Sequence, residues 1–406
     1  MPSTMNLIDA IQAQAADIAS IRRDIHAHPE LCYQEERTAA LVAEQLTRFG
    51  LEVHSGLGVT GVVGVIKGNL PAHADATYKA IGLRADMDAL PMQEANTFEH
   101  ASQHKGKMHA CGHDGHTAML LAACQHLSQH RDFAGTVYAI FQPAEEGGGG
   151  AREMIKDGLF ERFPMDAVFA MHNWPGMALG TFAVSPGPVM ASSNEFVITV
   201  RGKGAHAAMP HMGVDPVPVA AAMIQAFQTI ITRNKKPVDA GVISVTMLHA
   251  GEATNVIPNS CEMRGTVRTF TLDVLDMIES RMRDMAQHTA AAFGAECDFE
   301  FVRNYPPTIN TAPEADFAKH VLAQVVGHAH VIAQEPTMGA EDFAYMLQAK
   351  PGAYIFAGNG EGDHRVMGHG GGPCMLHNPS YDFNDHLIPI AASAWATLVA
   401  AALPVK

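Results

Sequence analysis

The stretch VYAIFQPAEEGGGG, Val137 to Gly150, runs from an apolar segment into two adjacent carboxylates, Glu145 and Glu146, and then into four glycines. Val137–Phe141 reads as a buried strand, a short apolar run closed by proline and glycine. Four glycines in a row would be costly inside a helix, so a close backbone approach is expected at Gly147–Gly150. Two neighbouring carboxylates at a strand end can divide their work, one holding a metal while the other moves protons. An acidic first turn favoured by the helix dipole is the plainer reading of the same doublet.

Working outward, apolar strands are expected near Val62–Ile66, Ala80–Ala85 and Ala167–Met171. Helices are expected near Leu7–His26, Thr38–Phe49 and Ala118–His130. Strand–helix alternation argues for a largely parallel sheet covered on both faces. Asp86 and Asp88 follow one strand, the glutamate pair a second and His172 a third. Open α/β sheets bind ligands beyond the carboxyl ends of their strands, and these groups share that edge.

From about Val189 the pattern changes. Strand Glu195–Arg201, helix Pro216–Thr232, strands Gly241–Leu248 and Cys261–Thr269, helix Leu272–Phe293 and strand Glu296–Val302 give the order βαββαβ, a ferredoxin-like split unit. Pro306 and Pro307 mark the exit. Helix Ala315–Val326, strand Ala353–Ala357 and helix His386–Ala402 then rejoin the first part. The expected fold is α/β: a discontinuous, mainly parallel-sheet catalytic domain (1–188 and 304–406) carrying an inserted α+β lid or dimerisation domain (189–303).

The 406 residues exceed one ordinary core, and 47% apolar with 17% charged residues fits a globular chain. A net charge of -15, from 42 acidic and 27 basic residues, argues against a nucleic-acid partner. The six cysteines are scattered without a disulfide rhythm, which suggests reduced thiols. The first helix has no apolar core of signal-peptide type, and no later segment is long and apolar enough for a membrane. A cytoplasmic protein without a membrane partner is expected. Histidine is the outlier at 23 residues, and it is the commonest metal ligand.

Cys111 and His113 are spaced C-x-H at a helix start, where the helix N-terminus lowers a thiol pKa and favours the metal-binding thiolate. Asp114 and His116 read as supporting groups, Asp114 also as a helix cap. Each group has a structural explanation when taken singly: His172 as a core histidine, His377 as part of a turn-rich loop. On one sheet edge together they read as a two-metal hydrolase.

The motifs HAHPEL (His26–Leu31), MDALPMQE (Met87–Glu94), HACGHDGHTA (His109–Ala118), FQPAEEGGGGA, MHNWP (Met171–Pro175), GKGAHAAMP, NVIP, GAEDFA and LHNPSYDFND (Leu376–Asp385) follow one another along nearly the whole chain. In this order the sequence resembles the amidohydrolase branch of the aminoacylase/carboxypeptidase metallopeptidase family. That branch includes bacterial hippurate hydrolases and the plant enzymes that cleave indoleacetyl-amino acids.

The resemblance implies that Cys111, His113, Glu146, His172 and His377 hold two divalent ions, zinc or manganese first and cobalt or nickel as alternatives. Cys111 would bridge them and Glu145 would be the general base for a metal-activated water. Asp88 would orient the site. Asp86 stands where the wider family has a histidine, which puts it in doubt as a ligand, and Cys374 is a rival sulfur. His206 would donate to the oxyanion, in its own or a neighbouring subunit, and Asn255 and Arg268 are candidates for the substrate carboxylate. A homodimer or homotetramer through the lid is implied as well.

The implied activity is hydrolysis of N-acyl-L-amino acids, with hippurate (benzoylglycine) the favoured substrate. Other acyl groups, N-acetyldiaminopimelate and short peptides are alternatives. From other classes come a metal-bound binding protein, which needs no base at Glu145, and a thiol enzyme with Cys111 as nucleophile.

Overall fold

The computed structural model describes residues 4–13, 15–73 and 76–406. Its first part contains α1 (Thr4–Gln12), α2 (Ala15–Ala27), α3 (Glu36–Arg48), β1 (Glu52–Leu57), β2 (Gly61–Lys67), β3 (Ala80–Asp86), α4 (His113–Gln129), β4 (Thr136–Gln142), α5 (Gly150–Lys156) and β5 (Ala167–Trp174). One eight-stranded sheet has the order β1-β2-β4-β3-β5, followed by Gly352–Gly358, Phe182–Ala183 and Val331–Ile332. β4, β3, β5 and Gly352–Gly358 are parallel to one another, while β1 and β2 extend the sheet antiparallel. β3 and Gly352–Gly358 are buried along their whole length, as strands covered on both faces must be. Helices α4 and Leu387–Ala402 are buried for most of their residues and share the core of this sheet.

Packing divides the chain into two compact units. The first comprises the residues up to Gly187 with Asn310–Glu335 and Tyr345–Lys406; the second comprises Pro188–Ile309 and Pro336–Ala344. Pro336–Ala344 groups with the insertion because Met190 bridges to Thr337 and the Ala191 N–H donates to Gly339 O at 2.8 Å. Sequence periodicity carries no trace of that pairing.

In the second unit a four-stranded antiparallel sheet has the order Gly241–Ala250, Ser260–Thr269, Ser193–Arg201, Glu296–Tyr305. This is the strand order of the split βαββαβ unit. Phe196, Ile198, Val200, Met263 and Val267 pack with Met223 and Phe227 of helix Pro216–Thr229 and with Ile278 and Met282 of helix Leu272–Ala292. Asp215 caps the first of these helices by accepting from Val217 N at 3.0 Å, ahead of a proline in the first turn.

Several elements differ from expectation. The helix read over Leu7–His26 is two helices, α1 and α2, although no Gly or Pro lies within it to announce a break. The edge strand β1 was not anticipated because its sequence, EVHSGL, is half-exposed and weakly apolar. The helix expected to reach Thr232 ends at Thr229 in a π turn over Ile230–Asn234. β5 continues to Trp174, so His172 lies within the strand and does not follow it.

Candidate metal centre

The carboxyl ends of β3 and β4 lie level, Asp86 opposite Gln142. Beyond β4 the chain turns through Pro143–Gly149 into α5, and three successive amides of that turn meet buried carboxylates. Ala144 N donates to Glu35 Oε1, Glu145 N to Asp88 Oδ1 and Glu146 N to Asp88 Oδ2, each at 2.9 Å. Ala144 adopts a left-handed φ of 55°, a conformation that costs a non-glycine residue about 1–3 kcal/mol and persists only where the surroundings hold it. The glycines permit close approach, as expected: a Cβ on Gly150 would come within 1.8 Å of Pro143 O.

Around this turn the expected ligands converge. Cys111, His113 and His172 offer donor atoms within 4.8 Å of one another, and so do Cys111, Glu146 and His377, and His113, Glu145 and Glu146. Cys111 Sγ is 3.4 Å from His172 Nε2, and His377 Nε2 is 3.1 Å from Glu146 Oε1. His113 Nε2 lies 4.0 Å from a carboxylate oxygen of each glutamate. His377 also has a left-handed φ, 57°, and its N–H donates to Ala110 O at 2.7 Å, tying this loop to the Cys111 segment.

Two atoms of this group, His113 Nε2 and Glu146 Oε1, are buried without a hydrogen bond of good geometry, although the second has His377 Nε2 beside it. Buried polar atoms are normally satisfied, so orphans clustered among thiol, imidazole and carboxylate donors fit a divalent ion. His172 Nδ1 donates to Asn173 O at 2.6 Å, which puts the ring's lone pair on Nε2, facing Cys111 Sγ. His113 Nδ1 faces Asp88 Oδ1 at 3.3 Å, the carboxylate–histidine pairing common behind a metal ligand.

Protonation differs from the sequence-based expectation at Cys111. Burial, with the nearby carboxylates of Glu146, Glu145 and Asp86, pushes its thiol well above the ordinary range. Those effects outweigh the helix N-terminus, whose cap is Gly112. At His113 burial opposes the charge, but the carboxylates of Asp86, Asp88 and Glu146 prevail and push it up to about 10. Burial holds His172 well below its usual value, hence neutral. In the metal-free chain, protons on Cys111 and His113 take up part of the negative charge.

Asp86 has both oxygens engaged, Oδ1 with His116 Nδ1 at 2.6 Å and Oδ2 with Arg84 Nη1 at 2.7 Å. Asp114 does not cap α4; its carboxylate accepts from His26 Nδ1 at 2.9 Å and from Arg22 at 3.4 Å. Cys374 Sγ is bonded to the backbone of Asp382 and belongs to none of the ligand groups found among the described residues.

His206, Asn255 and Arg268 belong to the second unit. His206 pairs with Val256 across a two-stranded ribbon, and Ala207 N donates to Asn255 O at 3.0 Å, so these two exposed residues are neighbours. Ala208 N donates to His206 Nδ1 at 3.1 Å, which puts the proton of the neutral ring on Nε2. Arg268 lies apart in strand Ser260–Thr269, half-buried, its Nη1 donating to Thr266 Oγ1 and to Val267 O at 3.2 Å.

Two contributors were missed. Glu35 also accepts from Tyr33 N at 3.1 Å and Thr60 Oγ1 at 2.6 Å, and burial raises its carboxyl to about 7. Asn173, within the quoted MHNWP, sends Nδ2 to Cys111 O at 2.8 Å and receives Tyr381 Oη on Oδ1 at 2.7 Å. The nearest local signal for either was its place inside a quoted motif or just after one.

Comparison with known proteins agrees with this geometry. Residues 82–401 match the model of peptidase family M20/M25/M40. Hippurate hydrolase of Campylobacter jejuni is 40% identical over 97% of this chain and 98% of its own length. N-acetyl-L-cysteine deacetylase of Bacillus subtilis is 39% identical over 86% and 81%. The crystal structure of the Bacillus subtilis YXEP protein, described as a dinuclear metal binding peptidase, superposes with a TM-score of 0.81 at 32% identity, covering 96% of this chain and 98% of that one. With a matching family model over most of its length and relatives of this identity, the chain belongs to peptidase family M20/M25/M40 and is a hydrolytic enzyme of amide bonds.

Proposed function

We propose that the enzyme hydrolyses the amide bond of N-acyl-L-amino acids, with hippurate the favoured substrate, using two divalent ions held by Cys111, His113, Glu146, His172 and His377. The observation that carries this reading is the cluster of orphaned donors on His113 and Glu146 beside Glu145, which is 7% exposed. Ions bound there supply Lewis acidity for a water and for the acyl carbonyl. Mixed thiolate, imidazole and carboxylate donors suit zinc or manganese, with cobalt or nickel as alternatives.

Glu145 accepts the proton of the attacking water and returns it to the nitrogen of the departing amino acid as the C–N bond breaks. The water oxygen stays on the acyl carbon, so the products are a carboxylic acid and a free amino acid. Asp88 holds the peptide carrying Glu145 through its backbone N–H, and the Glu145 side chain moves the proton. His206 serves as a donor to the oxyanion through Nε2, and Asn255 and Arg268 bind the substrate carboxylate. A cytoplasmic homodimer or homotetramer associating through the second unit completes the reading. Among the described residues no cysteine is in a disulfide and no helix is long and apolar enough to cross a membrane.

A second reading is removal of N-acetyl groups, favoured by the identity to the acetylcysteine deacetylase. Metal analysis of the purified enzyme, paired with turnover of benzoylglycine, N-acetyl-amino acids and dipeptides, separates the two. Cleavage of dipeptides alone would sink both.

A further inference from the structure

Arg84, Asp86, His116, Asn173 and Tyr381 form a buried hydrogen-bonded chain in which no residue is more than 2% exposed. Arg84, an arginine inside a fully buried strand, donates from Nη1 to Asp86 and from Nε to Gln142 Oε1 at 2.8 Å. His116 Nδ1 donates to the other Asp86 oxygen at 2.6 Å. His116 Nε2 accepts from the Asn173 backbone N–H at 3.0 Å and from Asn173 Nδ2 at 2.9 Å. A backbone N–H can only donate, so the ring proton sits on Nδ1 and both nitrogens are engaged.

Asn173 passes this order on. Its Nδ2 reaches Cys111 O, and its own carbonyl accepts His172 Nδ1 and thereby turns His172 Nε2 towards Cys111 Sγ. Gly112, with φ 94°, lets the Cys111 segment lie this close: a Cβ there would come within 2.2 Å of Asn173 Nδ2 and 2.4 Å of Tyr381 Oη.

We infer that His116 is a positioning residue of the metal centre, anchored by Asp86 and setting through Asn173 both the ring of His172 and the backbone of Cys111. The inference rests on the ligand roles proposed above for Cys111 and His172. A ring without nitrogens at 116 leaves an oxygen of Asp86 and the Asn173 N–H unpaired in a buried network, so the two ligands lose their shared reference. The Arg84–Asp86 pair stays intact, which separates this effect from loss of a buried charge.

The test uses Co²⁺ as a probe on chelator-stripped protein, following the thiolate-to-cobalt charge-transfer band and the apparent dissociation constant. For His116→Phe we expect a dissociation constant about 10–100-fold higher at unchanged stoichiometry, with an altered band. His116→Gln, which can still donate to Asp86 and accept from Asn173, should recover most of the wild-type affinity and spectrum. Tyr381→Phe removes only the hydroxyl on Asn173 Oδ1 and should weaken binding in the same direction by less; it decides alone if His116→Phe does not fold. Wild-type affinity and spectrum in both phenylalanine variants would overturn the inference. Loss of one metal equivalent in His116→Phe would overturn it in favour of His116 as a ligand. A wild-type protein with no thiolate band would fail the ligand reading itself.

Discussion

Asp88 and Glu146 meet through the backbone: the Glu146 N–H donates to Asp88 Oδ2 at 2.9 Å, while Asp88 Oδ1 receives the N–H of Glu145 at the same distance. One carboxylate thus fixes two successive peptides, those of the glutamate pair that stands beside His113 in the candidate metal centre. Asp88→Ala would strand two buried amide donors, at about 1–3 kcal/mol each before relaxation. We expect a lowered melting temperature and reduced kcat, with Asp88→Asn intermediate because its amide keeps one acceptor. An Asp88→Ala enzyme with wild-type kcat would show that the turn holds without this clamp.

Glu145 is the proposed proton carrier and Glu146 the proposed ligand, although both fall in one group with His113. Glu145→Gln should therefore keep its metal content and fold but lose turnover on the order of a hundredfold or more. Metal content by elemental analysis, with steady-state rates on benzoylglycine, checks both halves. Retained turnover would exclude Glu145 as the base.

Metal loading should release protons. Cys111 is held protonated in the metal-free chain and His113 is pushed up to about 10, so near neutral pH both give up a proton to an incoming cation. Release of about two protons per chain is expected, with apparent affinity rising as pH rises because the proton is the competitor. An indicator dye in weak buffer during metal titration reads this directly, and a proton-neutral titration would contradict it.

Glu35 gives a pH signature in the metal-free protein. Its carboxyl is raised from the ordinary value of 4.5 to about 7 in the fold, so the native state holds a proton that the unfolded chain has released. Native stability attributable to this group is full below pH 4.5 and falls as pH rises through about 7. The change is on the order of 3 kcal/mol. Glu35→Gln should remove that slope, so denaturant midpoints at pH 5 and pH 8 should differ less than in wild type. An unchanged slope would place the titration elsewhere.

The sequence by itself determined the sheet, the inserted antiparallel unit and the edge on which the chemistry gathers. It did so because apolar periodicity, turn residues and strand–helix alternation are properties of neighbouring residues. The ordered motifs also named candidate ligands, Cys111, His113, Glu146, His172 and His377, and the structure brings their donor atoms near one another around the Val137–Gly150 segment. Only the tertiary structure decided what the charged and amide groups around them do. Asp86 is committed to Arg84 and His116, Asp114 to His26 and Arg22, and the Cys111 thiol is held protonated against the pull of a helix start. Glu35 and Ala144 are 109 residues apart, Asp88 and Glu145 57, and Tyr381 and Asn173 208. Hydrogen bonds over such separations depend on which strand ends the topology brings level, and burial then decides which proton stays. Neither is written in local pattern.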